Sequence, residues 1–226
     1  TTCCQIQLTK LFKGGFSTGH GFLREPNDIQ SYSALACIAI QSNQNDQHGG
    51  QSIVDFDYGL APGVTKTYKK FYSTNLYKSL EILAPSNEPD TTEDKSNGIQ
   101  GGLTLFDLKE IASEIEKKTG HYPQITTDKD YLNEEKNILL SKGFSEEVIS
   151  KAQNFAVKEA YRETEKATYQ AMEALIHNLN TMHSRAGAQT PFSSINYGTD
   201  TSPEGRMVMR NILKATEAGL GMGETP

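Results

Sequence analysis

Hydrophobic positions follow two kinds of pattern along this chain. Short alternating stretches, Cys3-Cys4-Gln5-Ile6-Gln7-Leu8 and Thr190-Pro191-Phe192-Ser193-Ser194-Ile195-Asn196-Tyr197, predict two half-buried strands over 3–8 and 190–197. Elsewhere apolar residues recur at helical spacing. Pro26-Asn27-Asp28 starts a first helix, with Asn27 or Asp28 able to accept the unpaired N–H groups of its first turn. It carries Ile29, Tyr32, Ala36 and Ile40, and fades at Asn43-Gln44-Asn45-Asp46, before His48-Gly49-Gly50. A second helix runs from Pro62 to about Leu83, with Tyr68, Phe71, Tyr72, Leu76 and Leu80 as its stripe. Residues 13–27 read as a loop and 51–59 are mixed. Thr104 caps a helix that stops at Gly120, and another spans 129–142 with Gly143 as its stop. Ser145-Glu146-Glu147-Val148 opens the longest, which meets no Gly or Pro before about Ser184. It is about 40 residues long, or ~60 Å at ~1.5 Å per residue. Ser202 and Pro203 then start a helix over 203–219, closed by Gly219-Leu220-Gly221-Met222-Gly223.

Strands separated by this much helix predict a helix-rich α/β fold. Two strands cannot fill a sheet, so most partner strands are expected outside this chain. The chain has no initiator Met, opens on a strand, and stops just after a helix and a glycine-rich turn. We therefore expect a single incomplete domain over 1–226 from a longer enzyme.

Composition narrows the function. With 22 Lys+Arg against 28 Asp+Glu, the net charge of -6 argues against a general nucleic-acid binder. No apolar run approaches the ~20 residues that span a bilayer, and the first residues lack the pattern of a signal peptide. Three cysteines, Cys3, Cys4 and Cys37, do not make a disulfide framework, and vicinal Cys3 and Cys4 are poorly placed to bridge. No CxxC pair exists and the histidines are scattered, so no metal site is expected within the chain.

The chemistry-bearing candidates are few. Cys3 and Cys4 lie on a predicted strand, where alternation turns them to opposite faces; one can line a cavity while the other packs. A cavity-facing cysteine acts as nucleophile, redox partner or hydrogen-atom donor, and a packed one is a small hydrophobe. Cys37 lies on an alanine-rich helix face and reads as structural. His48-Gly49-Gly50-Gln51-Ser52 and the Gly219-x-Gly-x-Gly run resemble phosphate loops only superficially, because neither follows a strand and opens a helix. Lys66, Lys69 and Lys70 lie on one helix, as a solvated face or a phosphate contact.

Longer strings are more specific. The first block comprises Cys3-Cys4-Gln5-Ile6, Gly14-Gly15-Phe16-Ser17-Thr18-Gly19-His20-Gly21, Arg24-Glu25-Pro26, Gln41-Ser42-Asn43-Gln44-Asn45-Asp46, His48-Gly49-Gly50-Gln51-Ser52 and Ala61-Pro62-Gly63-Val64-Thr65-Lys66-Thr67-Tyr68. The second comprises Glu163-Thr164-Glu165-Lys166-Ala167-Thr168-Tyr169 and Ser184-Arg185-Ala186-Gly187-Ala188-Gln189-Thr190-Pro191-Phe192-Ser193-Ser194-Ile195-Asn196-Tyr197-Gly198-Thr199-Asp200. Together they resemble the anaerobic (class III) ribonucleoside-triphosphate reductases, over roughly 1–80 and 150–226. Residues 84–145 look like a variable insertion.

The resemblance implies a ten-stranded α/β barrel of the glycyl-radical type, of which this chain supplies strands near 3–8 and 190–197 and a helical excursion over 27–184. It implies radical reduction of ribonucleoside triphosphates, with formate as reductant and Cys3 as the early-strand cysteine facing the substrate. The residue before that cysteine is usually Asn, and Thr2 stands there. The glycyl radical, the thiyl-radical cysteine and a four-cysteine zinc site would lie beyond Pro226, leaving this piece inactive alone. The excursion resembles the region that pairs two subunits into a homodimer and binds a nucleotide effector (ATP or dATP, dGTP, dTTP). Lys70 matches a basic residue near the effector phosphates, with Arg24, Glu25 and Asn27 in the nearby loop pattern. The loop bearing Asn196, Gly198 and Asp200 would relay effector identity to the substrate pocket. A radical-SAM activating enzyme is the implied partner, nucleic acid and membrane are not, and the location is cytoplasmic. Two other classes are compatible with the sequence: another glycyl-radical enzyme, and a stand-alone helical nucleotide-sensing or dimerisation module.

Overall fold

The computed structural model describes residues 3–19, 21–47, 49–85, 99–183, 189–190 and 192–226. His48 of the glycine-rich turn, most of the polar stretch 84–102, the Ser184 end of the longest helix, Ser184–Ala188 of the second block and Pro191 lie outside these. The chain forms two compact units, one of Thr1–Thr67 with Glu165–Pro226, the other of Tyr68–Thr164. Among the described residues no helix is long and apolar enough to cross a membrane.

The first unit begins with β1 (Cys4–Ile6), a one-turn helix α1 (Leu8–Leu11), and a hairpin of β2 (Phe16–Ser17) and β3 (Phe22–Leu23). Helix α2 (Ile29–Asp46) leads to β4 (Gln51–Ile53), and α3 (Phe56–Leu83) carries the chain into the second unit. There α4 (Leu105–Thr119) and α5 (Lys129–Ser141) precede α6 (Glu146–Thr181), which returns to the first unit. β5 (Ser193–Ile195) and α7 (Pro203–Ala218) complete the fold. The protein is thus a helix-rich α/β structure with a small parallel sheet of order β1-β4-β5.

Local signals placed the helix starts. Asp28 caps α2, its carboxylate accepting from Ser31 N at 2.9 Å. Thr104 and Asp107 form a reciprocal capping box on α4, and the Ser202 hydroxyl accepts from Gly205 N ahead of Pro203 on α7.

The strands differ from expectation in three ways. Leu8 is not in a strand but starts α1, because the Asp55 carboxylate accepts from Leu8 N at 2.7 Å and from the Thr9 hydroxyl at 2.5 Å. A capping group 47 residues away leaves no local signal. Residues 51–53, which read as mixed, are the central strand, so β5 is the third strand of the sheet rather than the second. The 13–27 segment, read as a loop, contains the β2–β3 hairpin. Helix α3 also begins six residues earlier than Pro62 and runs through it, giving up the hydrogen bond that a proline cannot donate.

Each unit has its own core. In the first, Leu8, Ile29, Ile40, Ile53, Phe56 and Leu60 are fully buried. In the second, Tyr68, Tyr72, Leu76 and Leu80 of α3 pack with Ile111, Ile115, Tyr131, Leu139 and Ile149. Ala152, Ala156 and Ala160 recur every fourth residue along α6, and such small side chains let neighbouring helices approach closely.

Candidate functional site

The parallel sheet has a packed face and an open one. Its register aligns Cys4 with Gln51 and Ser193, then Gln5 with Ser52 and Ser194, then Ile6 with Ile53 and Ile195. Side chains alternate between faces, so the first and third rows share a side and the middle row takes the other. On the first side Ile6, Ile53 and Gln51 are buried, and Asn43 of α2 donates to the Gln51 amide oxygen. On the second side Gln5 and Ser194 are exposed and Ser52 is half-buried. Parallel strands are ordinarily buried and apolar on both faces. A polar row across all three strands makes this face the candidate wall of a site.

Cys3 lies outside that row, two residues before Gln5 along the chain. It directly precedes β1, and alternation assigns it to the side of Gln5, opposite Cys4. We expected Cys3 to be partly buried on the strand; it is exposed and lies just outside it, because the ladder ends at the hydrogen bond from Cys4 N to Gly50 O. Cys3 and Cys4 are not bridged. Cys37 is buried, and its thiol is pushed up to about 11 by burial, against a lowering contribution from a hydrogen bond with Asn178. That thiol is inert, in keeping with the structural reading.

The carboxyl ends of the strands, where open α/β sheets place ligands, are organised by two aspartates that follow β4. Asp55 holds the exit of β1 through Leu8 and Thr9. Asp57, in the first turn of α3, holds the exit of β5: its Oδ2 accepts from Gly198 N at 2.8 Å and from Thr199 N and Asp200 N at 3.0 Å. Burial would raise this carboxyl, but those donors and Tyr58 N outweigh it and hold it below the ordinary range. Of the loop residues singled out in the sequence, Gly198 and Asp200 are thus drawn together around Asp57, which sequence reasoning missed, while the Asn196 carbonyl accepts from Phe56 N.

The effector candidates divide between the units. Glu25 in the first unit is ion-paired with Lys66, whose Nζ is 2.7 Å from Oε1 and also donates to Pro26 O and the Tyr32 hydroxyl. The Lys66 hydrogen bond is the main cause holding the Glu25 carboxyl below its usual range. Arg24 and Asn27 are exposed on the same short segment between β3 and α2. Lys70 belongs to the second unit and lines a cavity of about 300 Å³ with Lys69, Ser73, Lys109, Ser113 and Glu116. Lys69 is tied to Glu116 at 2.7 Å and lies over the Tyr122 ring. Lys109 adds a cation that sequence reasoning did not select, because it comes from α4, within the stretch read as insertion. Lysines gathered around serine hydroxyls suit an anion with several charged oxygens.

The described residues do not make a four-thiolate zinc site. Their cysteines are dispersed between the sheet and α2, and the cluster able to hold a metal is His121, Asp128 and Asp130. Its His121 Nδ1 is already engaged by Asp128 at 2.8 Å, and Asp128 caps α5.

Comparison with known proteins bears on all of this. A family model described as anaerobic ribonucleoside-triphosphate reductase matches residues 1–226. Curated relatives of that name are 24% identical to this chain in Salmonella typhimurium (97% of the chain, 20% of the relative), in Enterobacteria phage T4 (100% and 25%) and in Escherichia coli (97% and 20%). The chain therefore spans a fifth to a quarter of the length of these relatives.

Proposed function

The chain belongs to the anaerobic ribonucleoside-triphosphate reductase family, a family of enzymes, and we propose that it forms the part of such a reductase that carries the substrate-facing cysteine and the effector region. The reaction is reduction of ribonucleoside triphosphates to deoxyribonucleotides, with formate as the overall reductant. β1, β4 and β5 are three strands of a ten-stranded barrel, and the open polar face is its interior. Cys3 projects there as the reducing thiol, and Gln5, Ser52 and Ser194 line the surface next to it. The glycyl radical that drives the chemistry, and the zinc site, belong to other parts of the polypeptide. The partners are a radical-SAM activating enzyme and a second copy of the protein, in the cytoplasm.

Regulation belongs to the helices. The Lys70 cavity takes the phosphates of an ATP, dATP, dGTP or dTTP effector, with the segment bearing Arg24, Glu25 and Asn27 contributing to the same response. The loop with Asn196, Gly198 and Asp200 carries the identity of the effector to the substrate.

The observation that carries this reading is Cys3, exposed and two residues before Gln5, whose polar row crosses the open sheet face. Cys3→Ala in the complete reductase tests it. We expect loss of nucleotide reduction with unchanged helical content and thermal midpoint. Retained turnover would remove Cys3 from the mechanism and leave Cys4 to be tested next.

A further inference from the structure

The loop that leaves β5 is fixed in an uncommon way. Its backbone is held from beneath while its side chains are presented outward. Gly198 N, Thr199 N and Asp200 N all point at one carboxylate oxygen of Asp57, a residue with 0% of its surface exposed. The neighbouring Tyr58 hydroxyl donates to Thr199 O at 3.2 Å, and Phe56 N donates to Asn196 O at 3.1 Å. Three consecutive residues at the start of α3 therefore grip the loop at five points. Gly198, with φ +113, supplies the backbone turn that brings the N–H groups round to a single acceptor. Asp200 is itself buried, accepts from Ser202 N at 2.8 Å, and packs against Gly205 so closely that a Cβ there would collide with its carboxylate.

Asn196, Tyr197 and Thr199 are nevertheless exposed. An amide, a phenol and a hydroxyl are thus displayed on a fixed backbone at the carboxyl end of the sheet. An amide pairs with base edges, an aromatic ring stacks on a base, and a hydroxyl meets ribose or phosphate oxygen.

We propose that Asp57 is the positioning residue of this loop, setting the backbone that presents Asn196, Tyr197 and Thr199 to a nucleotide and so controlling which nucleotide is accepted. The proposal rests on the reading of this loop as the relay between effector and substrate. It adds the group that sets the geometry of the relay. Asp57 does not touch the nucleotide; it acts through Gly198, Thr199 and Asp200.

Two measurements separate this proposal from the reading beneath it. The first is amide hydrogen exchange on this chain, comparing wild type with the near-isosteric Asp57→Asn. A neutral amide binds the three N–H groups less tightly than a carboxylate. Exchange at Gly198, Thr199 and Asp200 should rise by about tenfold or more, with the α6 amides unchanged. Equal exchange in the two proteins overturns the proposal. Tyr58→Phe, which removes only the outer contact to Thr199 O, provides a second variant if Asp57→Asn does not fold. It should raise exchange at the same three amides by a smaller factor, and no change would also count against the grip. The second measurement is competition between two ribonucleoside triphosphates in the complete reductase, run with each of two effectors in turn. Asp57→Asn should alter the ratio of their kcat/KM values, mainly through KM. A wild type without effector-dependent discrimination would defeat the relay reading itself. A wild type that discriminates and an Asp57→Asn that discriminates equally would defeat the role of Asp57.

Discussion

Glu135 is a carboxylic acid with 1% of its surface exposed, in the middle of the core of the second unit. It accepts from the Tyr72 and Tyr131 hydroxyls at 2.6 Å and from Gln153 Nε2 at 2.9 Å. Burial raises its pKa, and the three donors only partly offset that. The folded state therefore binds this proton more tightly than the unfolded chain does. Stability from this site is present at low pH and falls as pH rises from the ordinary carboxylate range through the raised pKa, by up to about 1.4 kcal/mol per pH unit. Glu135→Gln keeps the shape and an acceptor oxygen without an ionisable proton. We expect the variant to gain on wild type steadily as pH rises through that window, measured by urea unfolding at several pH values. A stability difference that does not change with pH would mean that Glu135 titrates alike in both states. The site was invisible in the sequence. Glu135 follows another glutamate on a polar helix, and only the tertiary fold surrounds it with two tyrosines.

At the scale of elements, α3 owes its place to residues chosen for smallness rather than apolarity. Gly63 is one case: a Cβ there would lie 2.8 Å from the Tyr32 ring and 3.2 Å from Ile29 Cα. One turn later the Thr67 hydroxyl accepts from Ile29 N at 2.9 Å and donates to Gly63 O at 2.7 Å. The start of α2 therefore rests directly on the α3 backbone. On helix propensity Gly63→Ala would gain about 1 kcal/mol. We expect a net loss of about 1–3 kcal/mol from overpacking, read as a lower urea midpoint; a neutral or stabilising result would contradict this close approach. The elements show where sequence reasoning reaches. The starts of α2, α4 and α7 were legible because their caps, Asp28, Thr104 and Ser202, act within three residues, whereas the start of α3 at Phe56 was not. β4 was not, since Gln51-Ser52-Ile53 shows no apolar–polar alternation. The grip of Asp57 on the β5 exit was not legible either, because its partners are 141 to 143 residues away. The polar row of Gln5, Ser52 and Ser194 became legible only when the register of three strands was known.

For the whole molecule the informative contrast is between overall and local charge. The chain carries a net charge of -6, which repels a nucleoside triphosphate at long range. Yet the second unit gathers Lys69, Lys70 and Lys109 around one cavity of about 300 Å³, opposed by Glu116 alone among the ionisable residues lining it. Lys69 is ion-paired with Glu116 at 2.7 Å, and three lysines against one glutamate give the lining a cationic balance that favours an anion. Attraction of this kind acts only at short range, because the Debye length at physiological salt is about 8 Å. Binding of a triphosphate effector should therefore be saturable and should weaken as salt rises. Calorimetry with dATP, dGTP and dTTP on this chain tests the effector assignment. Lys70→Ala removes a charge-assisted contact and should weaken binding by about tenfold or more, whereas Lys158→Ala, on an exposed turn of α6, should not. Equal loss in both variants would mean that only net charge matters. Binding untouched by Lys70→Ala would move the effector away from this cavity and leave Arg24, Glu25 and Asn27 as the residues to test.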